Sequence, residues 1–420
     1  MTGRTPIEAR LSAAGLPPLP RMAWLEIDLD RLRGNLAALR AALPPGVRLE
    51  PVIKADAYGH GAVPVGRALE AAGADGFSVA AFDEAVELRQ GGLRAPILCL
   101  YGVPPAVVRE AMRLDLAVAA SGEAALERVV AAAAAAWGGQ GGPRPRRALR
   151  IHLDVETGLG RAGLDPERVP VIADRLRRTP GVRLVGLWSH LQQADDAPRS
   201  DRQAARFAAA FAGLAEASAR PIEGHLAASA GLLGRVVPTY DRVRIGLATY
   251  GIVPDDVPAA TAATLPAIAL RPILSLHARP VRVAELPAGT GISYGPTFTT
   301  TRPSRIATLP LGYGDGFARA LSNRAAALVR GQRVPLVGNV AMDAVMADVT
   351  DLPGPPVTID DEFVLIGSQG EASIPIEELA RLRTTNTWET ATAMARRLPR
   401  VYHAAAVPVA TRTLASWRER

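Results

Sequence analysis

Pro51-Val52-Ile53-Lys54-Ala55-Asp56-Ala57-Tyr58-Gly59-His60-Gly61 is the stretch on which the reading of this chain turns. An apolar β-branched run stops at a lysine, and two glycines follow within seven residues. A run of that kind is a buried strand, and glycines just past its end let the backbone come close to a ligand. Lys54 is also the only lysine in the chain, since 47 of the 48 basic residues are arginine. Arginine supplies positive charge as well as lysine does, but only lysine offers a primary amine that can lose its proton and attack a carbonyl. Lys54 is therefore a candidate covalent residue from its setting alone, and desolvation at a strand end favours its neutral form.

Outward from this stretch, short apolar runs alternate with helical patterns. The runs are Val47–Ile53, Gly76–Ala80, Pro96–Leu100, Leu114–Val118, Leu149–Val155, Leu184–Ser189, Glu223–Ala227 and Arg242–Gly246. Alternating β and α elements imply a parallel sheet with right-handed crossovers, and eight units in about 200 residues suit a closed (β/α)8 barrel of the TIM type. In such barrels the chemistry sits at the C-terminal strand ends, where Lys54 falls. Beyond about Thr264 the pattern changes to strand-like segments separated by Pro, Gly and Asp turns, among them Ile273–Leu286, Arg305–Leu311, Arg333–Val337, Ala344–Val349 and Glu362–Ile366, with a helical pattern at Pro375–Leu382. This predicts an α/β architecture in three parts: an N-terminal extension over 1–21, a barrel over 22–264, and a mainly β C-terminal domain over 265–420. The early apolar run Ala23–Leu29 precedes the first barrel strand and is expected to pair with the C-terminal domain.

Composition removes several function classes. With 420 residues, 48% hydrophobic and 21% charged, the chain is an ordinary globular protein rather than a disordered or fibrous one. A single cysteine, Cys99, excludes a disulfide framework and a Cys-based zinc site, and is read as a packing residue. The net charge of +7 comes from scattered arginines whose one tight cluster, Arg144, Arg146 and Arg147, follows a Gly/Ala-rich loop, so a nucleic-acid surface is not indicated. The first 21 residues carry Pro17, Pro18 and Pro20 with no apolar core of a secretory signal, and no run approaches the ~18 apolar residues of a membrane span. A cytoplasmic location, with no membrane and no metal partner, is the expectation.

The 51–61 stretch closely resembles the pyridoxal-phosphate lysine motif of alanine racemases, V-V-K-A-N-A-Y-G-H-G. Further segments resemble that family in order. Asp154 to Gly163 is similar to its D-T-G-M-x-R-x-G stretch, and includes Arg161. His190 closes Leu187-Trp188-Ser189-His190, His225-Leu226-Ala227-Ala228-Ser229 ends the seventh run, and Val243 to Gly251, with Arg244, ends the eighth. In the C-terminal part, Gly291-Ile292-Ser293-Tyr294-Gly295 resembles the catalytic tyrosine motif, Leu311 to Gly316 a substrate-entrance motif, and Val340-Ala341-Met342-Asp343 the V-S-M-D motif. The resemblance spans about residues 22 to 403.

The resemblance implies a racemase that interconverts L- and D-alanine with pyridoxal 5′-phosphate and so supplies D-alanine for peptidoglycan. Inverting an α-carbon requires taking a proton from one face and returning one on the other; the cofactor is the electron sink and the protein supplies two opposed acid/base groups. Lys54 would serve one face and Tyr294, contributed by the partner subunit of a homodimer, the other. Arg244 would hydrogen-bond the pyridine nitrogen; because a guanidinium does not readily release its proton, the ring stays a weaker sink and side reactions are discouraged. Tyr58, Ser229 and the N–H groups of Gly246 and Leu247 would hold the phosphate. Arg161 and the Met342 N–H would hold the substrate carboxylate, His190 would orient Tyr294 and Arg244, and Tyr313 and Asp343 would line the entrance.

The chain departs from the family at several positions. A lysine that many members carry, carbamylated, before the D-T-G aspartate is here Asp154, which would offer Arg161 a permanent carboxylate. Glu156 replaces the motif aspartate, Ala228 an Asn, Asn339 an Arg, and Trp388 a Tyr. These leave open a relative acting on serine or a basic amino acid. A non-catalytic single-barrel carrier of the cofactor would lack a second domain and any counterpart of Tyr294.

Overall fold

Nineteen strands are formed among the described residues of the computed structural model, which are 5–216, 220–258, 261 and 268–414. In chain order they are β1 (Ala23–Asp28), β2 (Arg48–Pro51), β3 (Phe77–Val79), β4 (Ile97–Cys99), β5 (Leu116–Ala120), β6 (Leu149–Asp154), β7 (Val182–Trp188), β8 (Glu223–His225), β9 (Arg242–Ile245), β10 (Leu274–Ala278), β11 (Arg282–Leu286), β12 (Ser304–Leu309), β13 (Ala326–Val329), β14 (Gln332–Val337), β15 (Val345–Asp348), β16 (Phe363–Gln369), β17 (Ala372–Ile374), β18 (Arg400–Ala404) and β19 (Val407–Arg412). Two compact units contain them: Leu32–Ala57 with Ala62–Arg271, and Met1–Arg31 with Tyr58–Gly61 and Pro272–Arg420. The expected boundary near Thr264 lies outside the described residues.

The first unit is barrel-like. Its strands β3 to β8 pair in parallel in chain order, and β2 pairs in parallel with β9. Short apolar runs suit strands covered on both faces: all five residues of β5 are buried. The helices between strands bury one stripe each. In Val169–Arg178, Val169, Ile172, Ala173 and Leu176 face inward at the i, i+3, i+4, i+7 spacing while Arg175, Arg177 and Arg178 do not. The fourth run was expected to start at Leu114, but Leu114 caps the preceding helix and Asp115 takes a left-handed φ of 52°, so β5 begins two residues later.

The second unit is mainly β. Its long sheet runs β11-β12-β15-β14-β13-β16-β10-β1-β18-β19, with β17 on β16. The early strand β1 pairs antiparallel with β10 and parallel with β18 inside this unit. The apolar stretch read as one strand over Ile273–Leu286 divides into β10 and β11, because Pro280 has no N–H to continue the ladder. The N-terminal segment contains a helix, Ile7–Ala13, that buries Ile7 and Leu11 against Trp24 and Val401. Arg10 fixes it by donating to both oxygens of Glu26, at 2.7 and 3.3 Å, while Trp24 Nε1 donates to the same carboxylate at 3.1 Å. No helix among the described residues is long and apolar enough to cross a membrane.

Candidate active site

In the barrel-like unit the candidate residues gather where the parallel strands end. Lys54 follows β2 by three residues, and Ile53 N–H donates to Ser78 O on the neighbouring β3 at 2.9 Å. The chain then enters a turn that L-residues rarely adopt: Ala55, Asp56, Ala57 and Tyr58 all have φ between 50° and 56°. Side chains hold this turn in place. Glu84 accepts from Ala55 N–H at 2.6 Å, and Asp56 accepts from Ala62 N–H at 2.9 Å. The Lys54 amine is half-buried, and its pKa is pushed below the ordinary lysine range by burial and then by Arg161, with Glu84 opposing. The result is an amine biased towards the neutral nucleophile.

Arg244 on β9 is buried, yet among the described residues it has no carboxylate partner. Arg242, two residues away, takes that role with Glu50 and Glu223. The Arg244 guanidinium is given to neutral acceptors instead: Nη1 to His225 Nδ1 at 2.8 Å and His225 O at 2.9 Å, and Nη2 to Ser189 O at 2.7 Å, with His190 Nδ1 3.5 Å away. Its Cζ lies over the Trp188 ring, 4.7 Å from the centroid. Burial lowers its pKa to about 10, so it remains cationic at neutral pH. Burial and then Arg244 lower His190 to about 3, which keeps that ring neutral.

Ser229 follows β8 and opens the short helix Ser229–Leu233. Its hydroxyl accepts from Gly246 N–H at 3.0 Å, which brings the ends of β8 and β9 together. The Leu247 N–H heads the turn Leu247–Tyr250 and takes no acceptor from within that turn. Arg161 is exposed and stacks over Tyr101 at 5.4 Å. Asp154 ends β6 and is buried, but no ion pair within 4.0 Å joins it to Arg161 among the described residues; the two interact only through their field.

Burial lifts the Asp154 carboxyl to about 7, with Ser121, Arg244 and Arg161 pulling it back only in part. The folded chain therefore binds that proton more tightly than the unfolded chain, whose carboxyl titrates near ~3.9. Stability from this group is present below about pH 4, falls as pH rises towards 7, and is level above it. A shift of about three units corresponds to ~4 kcal/mol. Asp154→Asn removes the titration, so urea unfolding at pH 5 and pH 8 should show the variant gaining about 2.6 kcal/mol on the parent between the two, the part of the shift that lies inside that window. An unchanged difference would contradict the burial account.

The β-rich unit holds the remaining candidates near one another. Tyr294, Tyr313 and Met342 are 78%, 43% and 52% exposed, unusual values for large apolar side chains. Asn339, flagged as a departure, holds the tyrosine loop: its Nδ2 donates to Tyr294 O at 2.8 Å and Gly295 O at 3.0 Å, and the Asn339 carbonyl accepts from Ser293 Oγ at 2.7 Å. Tyr313 N–H donates to Ala341 O at 3.0 Å and Gly314 N–H to Met342 O at 2.9 Å. This contact requires Gly312, where a Cβ would collide with Ala341 O. Buried Asp315 anchors the same turn through Arg21 at 2.9 Å and Arg397 at 2.7 Å, and Arg397 also reaches Asp343 at 2.6 Å. Tyr58 is buried and belongs to this unit by its packing.

The donor set of the barrel-like unit fits a phosphorylated aldehyde with a basic ring nitrogen. It offers one desolvated amine, a serine hydroxyl beside strand-end N–H groups, and a buried guanidinium whose Nε–H has no acceptor among the described residues. Sequence reasoning overlooked His225 as a site residue, although it stands in the quoted segment before Ser229; the signal was a histidine facing an arginine across adjacent strand ends. Cys99 is buried, its thiol pushed up to about 12 by burial, which makes it inert.

Comparison with known proteins agrees across both units. The family patterns described as alanine racemase, N-terminal domain, and alanine racemase, C-terminal domain, match residues 27–254 and 273–402. An alanine racemase of Symbiobacterium thermophilum is 42% identical over 388 residues, covering 91% of this chain and 97% of that protein. One of Syntrophobacter fumaroxidans is 38% identical over 383 residues, with 91% and 97% covered. Among solved structures, alanine racemase of Bacillus anthracis with bound L-Ala-P superposes with a TM-score of 0.85 at 31% identity, covering 95% of this chain and 99% of that one. The enzyme of D-cycloserine-producing Streptomyces lavendulae gives 0.82 at 35% identity, with 92% and 98% covered.

Proposed function

We propose, from the premise that the chain belongs to the alanine racemase family, that it interconverts L- and D-alanine at the strand-end cluster around Lys54. One observation carries the residue assignment: the half-buried Lys54 amine lies in the field of a buried Arg244 whose guanidinium is spent on neutral acceptors and keeps its Nε–H available. The parallel strands are read as one closed (β/α)8 barrel. The bridge Val52 to Ser78 between the ends of β2 and β3, and the bonds Asp241 N–H to Gly224 O and Arg244 N–H to Ala227 O between β9 and β8, support that closure.

Pyridoxal 5′-phosphate, when bound, supplies the sink that makes the α-proton of an amino acid removable. Lys54 would hold it covalently, Tyr58, Ser229 and the Gly246 and Leu247 N–H groups would hold its phosphate, and Arg244 would face its ring nitrogen. Arg244 stays protonated at neutral pH and does not pass its proton on. Lys54, released when the substrate amine takes its place, would take or return the α-proton at Nζ on one face, and Tyr294 at Oη on the other. Arg161 and the Met342 N–H orient the substrate carboxylate, while His190 steadies Arg244.

The exposed patch of Tyr294, Tyr313 and Met342 supports a homodimer in which each Tyr294 serves the other copy's site. A cytoplasmic enzyme feeding D-alanine to peptidoglycan follows from the same reading. Its test is a chiral assay of purified protein on L-alanine together with borohydride reduction. Accumulating D-alanine, with cofactor fixed on Lys54, supports the assignment; fixation without D-alanine moves the substrate to another amino acid such as serine, and no fixation removes Lys54 from its role.

A further inference from the structure

Arg244 is the end of a chain of side chains that runs deeper into the barrel-like unit. Arg244 Nη1 lies 2.8 Å from His225 Nδ1, and His225 Nε2 lies 2.9 Å from His152 Nδ1. A guanidinium has only donors, so His225 Nδ1 must present its lone pair. The ring is neutral, held so by burial and by the Arg244 charge, and its single proton is therefore on Nε2. That N–H donates to His152 Nδ1, which must be unprotonated in turn. The opposite tautomer of His225 would set one N–H against another at the Arg244 contact.

The fold makes room for this chain. His152 is on β6 and His225 on β8, with β7 between them, and the residue of β7 that pairs with His152 is Gly186. A Cβ at Gly186 would collide with Nδ1 of His152. Both histidine rings are buried and meet edge to face, with centroids 5.0 Å apart.

We infer that His152 is a positioning residue for Arg244: by accepting from His225 Nε2–H across Gly186, it reinforces from the far side the tautomer that the Arg244 contact selects, and so holds the ring whose Nδ1 lone pair orients the guanidinium. The inference rests on Arg244 being the donor that faces the cofactor. Its effect on the reaction falls on kcat, because neither histidine touches the substrate in this assignment.

Nitrogen NMR of the holoenzyme labelled at histidine tests it, with six histidines in the chain to assign by single substitutions. The parent should show His225 with Nε2 protonated and Nδ1 bare. A proton on His225 Nδ1 would overturn the inference whether or not alanine is the substrate, so its failure is separable from failure of the racemase assignment. His152→Leu leaves the buried His225 Nε2–H without an acceptor, so the ring, held from the Arg244 side alone, should mix its tautomers, and kcat should fall tenfold or more with KM changed less than threefold. His152→Asn places an oxygen where Nδ1 stood, and should restore the single tautomer and most of kcat. An asparagine variant as slow as the leucine variant, or a leucine variant with parental kcat and an unchanged tautomer, would overturn it. If the leucine variant does not fold, the parental spectrum and the asparagine variant decide.

Discussion

Lys54→Arg is expected to abolish racemisation, lowering kcat by about 10⁴-fold or more, the scale seen when a covalent catalytic residue is removed. The charge is kept and the primary amine is lost, so the variant separates the two properties of the side chain. Folding should be intact, since Lys54 is half-buried and the turn beyond it is held by Glu84 and Asp56 rather than by the amine. The chain has no second lysine, so any borohydride-stable adduct on a lysine of the parent marks this residue. The measurement is the chiral assay run beside the mass of the reduced chain. Activity within tenfold of the parent would remove Lys54 from the mechanism.

Tyr294→Phe should cost about 10²–10⁴-fold in racemisation, the range for losing one acid/base group, while exchange of the α-proton with solvent deuterium persists for one enantiomer. The exposed ring contributes little to stability, so the loss reports chemistry. If each Tyr294 serves the other copy, mixing the Lys54→Arg and Tyr294→Phe proteins as subunits should revive activity. Half of randomly formed dimers are then hybrids with one complete site of two, giving about a quarter of parental activity. Hybrids that stay dead would place Tyr294 in its own subunit's site or outside any site.

The strand ends were readable because apolar runs stop at polar residues there: Lys54, Asp154 and His225 each stand at or just past a parallel strand. Elements held by distant partners were not. β18 and β19 are short; β18 takes its register from β1, with Leu25 opposite Arg400, and β19 from β18, so local pattern could not reveal them. The helix Ile7–Ala13 is equally short and depends on Trp24, Val401 and Glu26. The His152, His225 and Arg244 chain needs three strands in register and a glycine between two of them, a relation that exists only once the sheet is assembled. Gly59 and Gly61 announced an irregular backbone, and Asp56 is a residue type that tolerates a left-handed φ, but nothing in Ala55 or Ala57 signals one.

That turn has a stereochemical meaning. At φ of 50–56°, four consecutive residues carry the handedness that suits the mirror-image amino acid. For an L-residue this costs roughly 1–2 kcal/mol each, and the bonds from Glu84 and Asp56 are among those that offset it. The backbone beside Lys54 is thus strained towards the opposite hand, and D-alanine introduced by chemical synthesis at 55 and 57 would relax it. Next to the lysine assigned to inverting alanine, the two alanines of the chain are held in the geometry of their own enantiomer.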